Sequence, residues 1–290
     1  MNNLQIPVAV VGPGSQPPEQ DDSVLDILQM PSGMSIFSQP DLPEAEDIQD
    51  LLTAKQCLQE VLEKIQSYHI KQPASRVDIT QLDDNNKEFI DQVLGEGEVS
   101  VVCSGQIRAD IQESVLAGIW RIKTFNASNQ LLQDVIEISA IPQLVINDTF
   151  AQTPNRLKIN ADEIPAGVLN APPLIAEIND KILEYQNDKA DHPIAHVINL
   201  TLLPQTAEDL SFLGHSLGQG KTTILSRGYG NCRISSTATQ NVWWVQYFNS
   251  QDTNILNSLE IVDVPNVACA AQEDITDSAE RLYEILEAYQ

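Results

Sequence analysis

The stretch best equipped for chemistry is Gly214-His215-Ser216-Leu217-Gly218-Gln219-Gly220-Lys221-Thr222. A glycine loop ending in Lys-Thr can wrap a nucleotide phosphate with successive N–H groups, provided four residues separate its first Gly from Gly-Lys-Thr. Here there are five. The sequence downstream reads as a strand, whereas a phosphate loop opens a helix. A glycine turn with positive φ is the simpler reading. Gly12-Pro13-Gly14 echoes a dinucleotide loop but lacks the third glycine and the helix. His192 and His196 stand four apart, a spacing that suits two metal ligands on one helical face. Pro193 lies between them, no third ligand is near, and the residues that follow look like a strand. The four cysteines (Cys57, Cys103, Cys232, Cys269) are scattered with no C-x-x-C, which fits reduced thiols better than a disulfide framework or a thiolate metal site. These residues therefore predict no enzyme, no metal and no bound cofactor.

The charge balance points toward protein partners. Forty-one acidic residues against 16 basic ones give a net charge of -25 over 290 residues. That excess repels a phosphate backbone and an anionic membrane, so nucleic acid is not an expected partner. It would attract a basic protein segment, and it also serves solubility. No apolar run approaches the ~20 residues of a membrane helix, so no membrane insertion is expected. Residues 1–50 contain no Lys, Arg or His, unlike a secretory signal, and the expected location is cytoplasmic.

The elements that position these residues come in a doubled pattern. Residues 1–43 hold seven prolines and only acidic charge, and read as an extended arm. A helix follows, with Ile48, Leu51, Leu52, Leu58, Val61, Leu62, Ile65 and Tyr68 at three- and four-residue spacing and Asp41 with Glu44 as a capping box. Residues 94–142 align without a gap on 217–265 at an offset of 123. The alignment repeats Gly95/Gly218, Gly97/Gly220, Gly105/Gly228, Trp120/Trp243 and Phe125/Phe248. These pairs are the expected structural signature of the repeat. Ala54–Tyr68 resembles Ala171–Tyr185 at an offset of 117. Each copy passes from helical to alternating periodicity, and the Asn126 and Asn249 segments carry turn chemistry.

The expected fold is α+β: two tandem homologous repeats, each a helix followed by an antiparallel sheet of about four strands. The expected divisions are the arm at 1–43, repeat 1 at 44–147, a linker at 148–167, and repeat 2 at 168–290. Repeat 2 ends in a helix over about 277–289, started by Asp277 and Glu280. Trp120 and Trp243 should occupy matching buried positions. The strand face of Trp120, Ile122 and Thr124 is the expected core, since its other face carries Arg121 and Lys123. Trp244 stands where repeat 1 has Arg121; it is either the seam between repeats, the favoured reading, or an anchor for a partner. Arg227, Tyr229, Asn231 and Arg233 replace Ser104, Gln106, Arg108 and Asp110. With Trp244 and Tyr247 they are the candidate partner-binding residues.

Three stretches resemble the HupH/HyaF family of nickel–iron hydrogenase expression proteins. They are Ile6-Pro7-Val8 through Gln16 with Met30-Pro31-Ser32-Gly33-Met34, Gln112 through Arg121, and Ser226 through Ile234 with Asn241-Val242-Trp243 and Tyr247-Phe248-Asn249. The likeness continues through Leu259–Pro265 to Asp277–Leu282. The resemblance implies a cytoplasmic accessory protein for an uptake nickel–iron hydrogenase. Its implied partners are the precursor of the iron–sulfur small subunit, attended before Tat export, and other hydrogenase accessory proteins. Nickel or iron delivery is the alternative it carries, and the lack of a His/Cys cluster argues against direct nickel binding. A nucleotide-using enzyme ranks below both.

Overall fold

The computed structural model describes residues 50–105, 107–159, 164–187, 194–228 and 230–289. The arm at 1–43, the Asp41/Glu44 capping box and Ile48 lie outside them. In chain order the elements are α1 (Leu52–Ser67), β1 (Ser75–Asp78), α2 (Asp84–Leu94), β2 (Val99–Ser104), β3 (Arg108–Glu113), β4 (Ile119–Phe125), β5 (Leu131–Ile138) and α3 (Gln143–Asp148). Then come α4 (Ala171–Asn187), β6 (His196–Asn199), α5 (Ala207–Leu217), β7 (Gln219–Ser226), β8 (Asn231–Thr237), β9 (Val242–Phe248), β10 (Asn254–Ile261) and α6 (Gln272–Glu287).

All ten strands join one antiparallel sheet, in the order β1-β5-β4-β3-β2-β7-β8-β9-β10-β6. The expected four strands per half become five, because β1 and β6 form between helices and add at the two edges. The halves meet where β2 pairs with β7, Val99 opposite Ser226 and Cys103 opposite Thr222. Local alternation says which face a residue occupies. It does not say that two four-stranded runs merge through backbone hydrogen bonds.

Many local details recur at the expected offset. Trp120 and Trp243 are both fully buried, and their indole N–H groups donate to Ser139 O (2.9 Å) and Asp263 O (3.1 Å). Tyr68 Oη accepts from Ala140 N at 3.2 Å and Tyr185 Oη from Asp263 N at 2.9 Å. Gly95 and Gly218 end α2 and α5 with φ of 58° and 66°, where a side chain would be strained. At Gly97 an added Cβ would lie 2.2 Å from Ser114 O, and at Gly220 it would lie 2.2 Å from Ser236 Oγ. At those two positions only hydrogen fits. Asn126 and Asn249 each accept two backbone N–H groups, which closes the β4–β5 and β9–β10 turns.

One pair of the expected signature does not share a structural role. Gly105 and Gly228 align, and both are exposed, but their surroundings differ. A Cβ at Gly105 would find only Ile107 O, at an ordinary 3.6 Å, whereas a Cβ at Gly228 would lie 2.1 Å from Glu98 Oε2. Gly228 follows β7 beside Glu98, where the two halves meet. The residue 123 places after Glu98 is Lys221, whose side chain turns away to Ala151 O, so nothing comparable crowds Gly105. The contact at Gly228 is with the far end of the flexible Glu98 side chain, which can swing away, so neither glycine of this pair is demanded by its surroundings or by a positive φ.

Both sheet faces are covered. Trp120 and Ile122 are buried as expected, but Ile119 and Arg121 on the other face are buried too. The reason is a helix layer: α1, α2 and α6 pack on Ile119, Ile136 and Ile138 to form a second apolar core. Polarity at Arg121 marked a buried ion pair, not an exposed face. The last helix starts five residues before the expected Asp277, with Ala271 at its N-cap and Glu273 and Asp274 in its first turn. Ile275, just ahead of Asp277, extends the buried stripe of Ala279, Leu282 and Leu286, so Asp277 and Glu280 fall inside the helix. Although α6 follows the second half in sequence, it covers α1 of the first. The segment after α3 reaches α4 of the second half, where Asn179 exchanges hydrogen bonds of 2.7 and 3.0 Å with the Leu157 backbone.

Each pair of helices is tied at its start. Asp83 and Thr206 are the N-caps of α2 and α5. Asn86 Oδ1 accepts from Ala54 N at 2.9 Å, and Asp209 Oδ1 accepts from Leu169, Asn170 and Ala171 N at 2.8, 2.8 and 3.0 Å. Asp209 also closes the capping box with Thr206. Burial alone would raise its pKa, but the N–H groups of Ala171, Thr206, Asn170 and Leu169 outweigh it and hold the carboxyl down to about 2. A depressed folded-state pKa gives stability that is present above pH ~4 and lost as pH falls through about 2. Asp209→Ala is expected to cost about 2 kcal/mol at pH 7. The deficit should shrink below pH ~3, where wild type also loses the carboxylate. Urea melts of both proteins across that range check this, and a deficit independent of pH would contradict it.

Candidate partner-binding surface

The six candidate residues do not form one patch. Tyr229 lies outside the described residues. Arg227 follows β7, and its N–H donates to Glu98 O at 3.1 Å. Asn231 pairs with Phe248 across β8 and β9, and the Arg233 guanidinium stacks 5.4 Å above the Phe248 ring. Arg108 stacks on Phe125 in the same way, at 5.1 Å, on the same face of the sheet. The two stacks are separate: Arg108 pairs with Ser104 at one end of β2, whereas Cys232, beside Arg233, pairs with Ser226, opposite Val99 at the other end.

Tyr247 points to the opposite face and is half-buried beside Cys232, its cross-strand partner. Burial pushes the Cys232 thiol up to about 12 and the Tyr247 phenol likewise up to about 12, and the two groups share a hydrogen bond. Burial also raises Cys103 to about 11 and Cys269 to about 12. Burial raises Cys57 as well, so all four cysteines are protonated thiols at neutral pH, poor nucleophiles and poor ligands.

Trp244 is neither an exposed anchor nor the seam. It is 4% exposed, and it lies on β9, with β8 between it and the β2–β7 junction. Its indole N–H donates to Asn257 Oδ1. The first half solves the same site with charge. Arg121 clamps Asp134 through Nε and through Nη2 at 2.8 Å, and reaches Asp91 with Nη1 at 2.6 Å. Arg121/Trp244 and Asp134/Asn257 both obey the offset of 123, so an ion pair in one half stands where a neutral indole–amide pair stands in the other. That exchange was available in the alignment, but only for a reader asking which positions change together.

The phosphate-loop look-alike has the wrong geometry. Gly218 ends α5, and β7 begins at Gln219, so the glycines lead into a strand. Lys221 Nζ donates to Ala151 O at 3.0 Å, and Thr222 Oγ1 lies 2.8 Å from Thr149 Oγ1. A cavity of about 250 Å³ beside them is lined by Cys103, Asp148, Lys221 and Thr222 among others. His192 lies outside the described residues, and His196 contacts Glu177 at 2.8 Å from the sheet edge. Among the described residues no group of three or more His, Cys, Asp or Glu is placed to hold a metal ion, and no helix is long and apolar enough to cross a membrane.

Besides Asp134 and Asp209, two more buried acids were missed by sequence reasoning, because any one carboxylate in so acidic a chain is uninformative. Glu137 is fully buried and accepts from Arg76 Nε at 2.7 Å, Ser139 Oγ at 3.0 Å and Gln143 N at 2.7 Å. Glu113 is buried with one long bond, 3.3 Å from Gly118 N.

The conserved C-terminal region of the HupH hydrogenase expression proteins matches residues 51–158 and 168–289, and the chain belongs to that family. Among its relatives, the hydrogenase expression/formation protein HoxQ of Cupriavidus necator is 46% identical, over 99% of this chain and 98% of its own. The hydrogenase expression/formation protein HupH of Rhodobacter capsulatus is 42% identical over 99% of both chains. The hydrogenase-1 operon protein HyaF of Escherichia coli strain K12 is 31% identical, over 95% of this chain and 94% of its own. These names support a role in hydrogenase maturation.

Proposed function

We propose that this protein is a non-catalytic cytoplasmic assembly factor for an uptake nickel–iron hydrogenase, acting on the iron–sulfur small subunit in precursor form before Tat export. The observation that carries this reading is the near-full-length similarity to hydrogenase expression/formation proteins. The acidic balance supports it, because a Tat signal carries a basic twin-arginine region that a net charge of -25 would attract. Other hydrogenase accessory proteins are further partners under this reading.

The chain is, on the same proposal, two copies of one unit at 44–147 and 168–290, joined by 148–167. The match of one conserved region to two successive segments supports this, as do the contacts that recur at an offset of 123. The partner-binding residues proposed are Arg227, Tyr229, Asn231, Arg233 and Tyr247; burial removes Trp244 from the set.

Binding kinetics on immobilised precursor small subunit test the proposal. Association should slow from low to physiological salt, as the Debye length falls to about 8 Å. Asn231→Ala combined with Arg233→Ala should speed dissociation about tenfold, roughly 1.4 kcal/mol. Salt-independent association would remove the electrostatic part, and no binding would remove the assigned partner.

A further inference from the structure

The two edges of the sheet are built differently. At one edge, β1 carries Arg76 and Asp78, charged residues that discourage a further strand from pairing. Arg76 stands opposite Glu137 and its Nε reaches Glu137 Oε2 at 2.7 Å, so the edge strand itself neutralises the buried acid on its neighbour. At the other edge, β6 reads His196-Val197-Ile198-Asn199, with no Lys, Arg, Asp or Glu. Glu260 on β10, 123 residues after Glu137, stands opposite Val197 where the first half has Arg76.

Among the described residues, Glu260 therefore faces the edge without a cation. It is half-buried and makes no hydrogen bond or ion pair among the described residues. Desolvation raises its pKa, which a cation would reverse. The edge is also apolar: Ile194 is 93% and Val197 52% exposed, with Leu202 and Leu203 exposed in the turn that follows. Among the described residues no strand lies beyond β6.

We infer that the β6 edge docks an extended segment of a partner protein, one with alternating apolar residues and a Lys or Arg placed to reach Glu260. The backbone of such a segment would add an eleventh strand to the ten. Its apolar side chains would cover Ile194 and Val197, and its cation would do for Glu260 what Arg76 does for Glu137. A second copy of this chain is a poor occupant, because its β6 brings no Lys or Arg and its net charge of -25 opposes self-association.

The test uses the full chain and two labelled eight-residue peptides of alternating Val and Thr, one with a central Arg and one with a central Glu. Fluorescence anisotropy should show the Arg peptide binding at least tenfold more tightly than the Glu peptide. Val197→Arg, which copies the β1 edge at an exposed position, should weaken the Arg peptide at least tenfold. Glu260→Gln should abolish the preference between peptides. Equal binding of both peptides, binding unaffected by Val197→Arg, or no binding would overturn the inference. A wild-type dimer that Val197→Arg dissolves, seen by sedimentation, would overturn the assigned occupant.

Discussion

Asp134→Ala is expected to destabilise the protein by about 3–5 kcal/mol, the cost of breaking a buried ion pair from one side. The Asp134 side chain is 2% exposed and that of Arg121 10%. Removing the carboxylate strands a guanidinium under the helix layer. Its remaining anion, Asp91, sits at the rim with half its side chain in water. Lys87 Nζ, 3.9 Å from Asp134 Oδ2, would add an uncompensated positive charge nearby. The matching site in the second half sets the scale. Asn257→Ala leaves a neutral indole N–H without its acceptor, which costs about 1–3 kcal/mol. Urea denaturation of the two variants side by side checks both numbers. Equal losses, or a loss below about 1 kcal/mol at Asp134, would contradict the account of this network.

Glu113→Gln is expected to stabilise the protein at pH 7.5 by about 3 kcal/mol and to leave it unchanged near pH 4.5. Burial pushes the Glu113 carboxyl up to about 7, against the opposing Gly118 N–H, with Glu98 and Asp274 raising it further. Below about pH 4.5 the group is protonated in both states and has no effect. Between about 4.5 and 7 the unfolded chain releases its proton first, so the folded state loses about 1.4 kcal/mol per pH unit. Above 7 the loss is constant. Urea melts of wild type and variant at pH 4.5, 6 and 7.5 isolate the effect as a difference. A difference that does not change with pH would show that Glu113 titrates normally.

How far the sequence could be read depended on whether a property was local. The strand β4 with its Trp120, the Asn126 turn and the glycine ends of α2 and α5 follow from side-chain alternation, turn chemistry and backbone freedom. Each recurs 123 residues later. Gly105 and Gly228 show the limit of that logic, since they align although neither has a positive φ that calls for glycine. The edge strands β1 and β6 were harder, because four residues give too short a pattern and their pairing is with β5 and β10, distant in the chain. The start of α6 was misplaced because Asp277 and Glu280 look like a cap, while the helix is held by burying Ile275 in the core beside Gly118. Trp244 misled in the same way. A large aromatic at a polar position suggested the seam between repeats or a partner anchor, but Trp244 is buried in the core that α4 and α5 join, and only the three-dimensional layer order reveals it. Of the candidate residues, Asn231 and Arg233 lie beside Phe248, whereas Tyr247 turns to the other face, an arrangement set by strand register rather than by local alternation.

The most direct test of the central claim is affinity purification of the tagged full chain from the cytosol of a hydrogenase-producing cell, with mass spectrometry of what co-purifies. The account predicts the hydrogenase small subunit with its Tat signal still attached, in amounts comparable to the bait and reduced by washing at high salt. Recovery of mature, signal-free small subunit alone, or of no hydrogenase subunit at all, would contradict it.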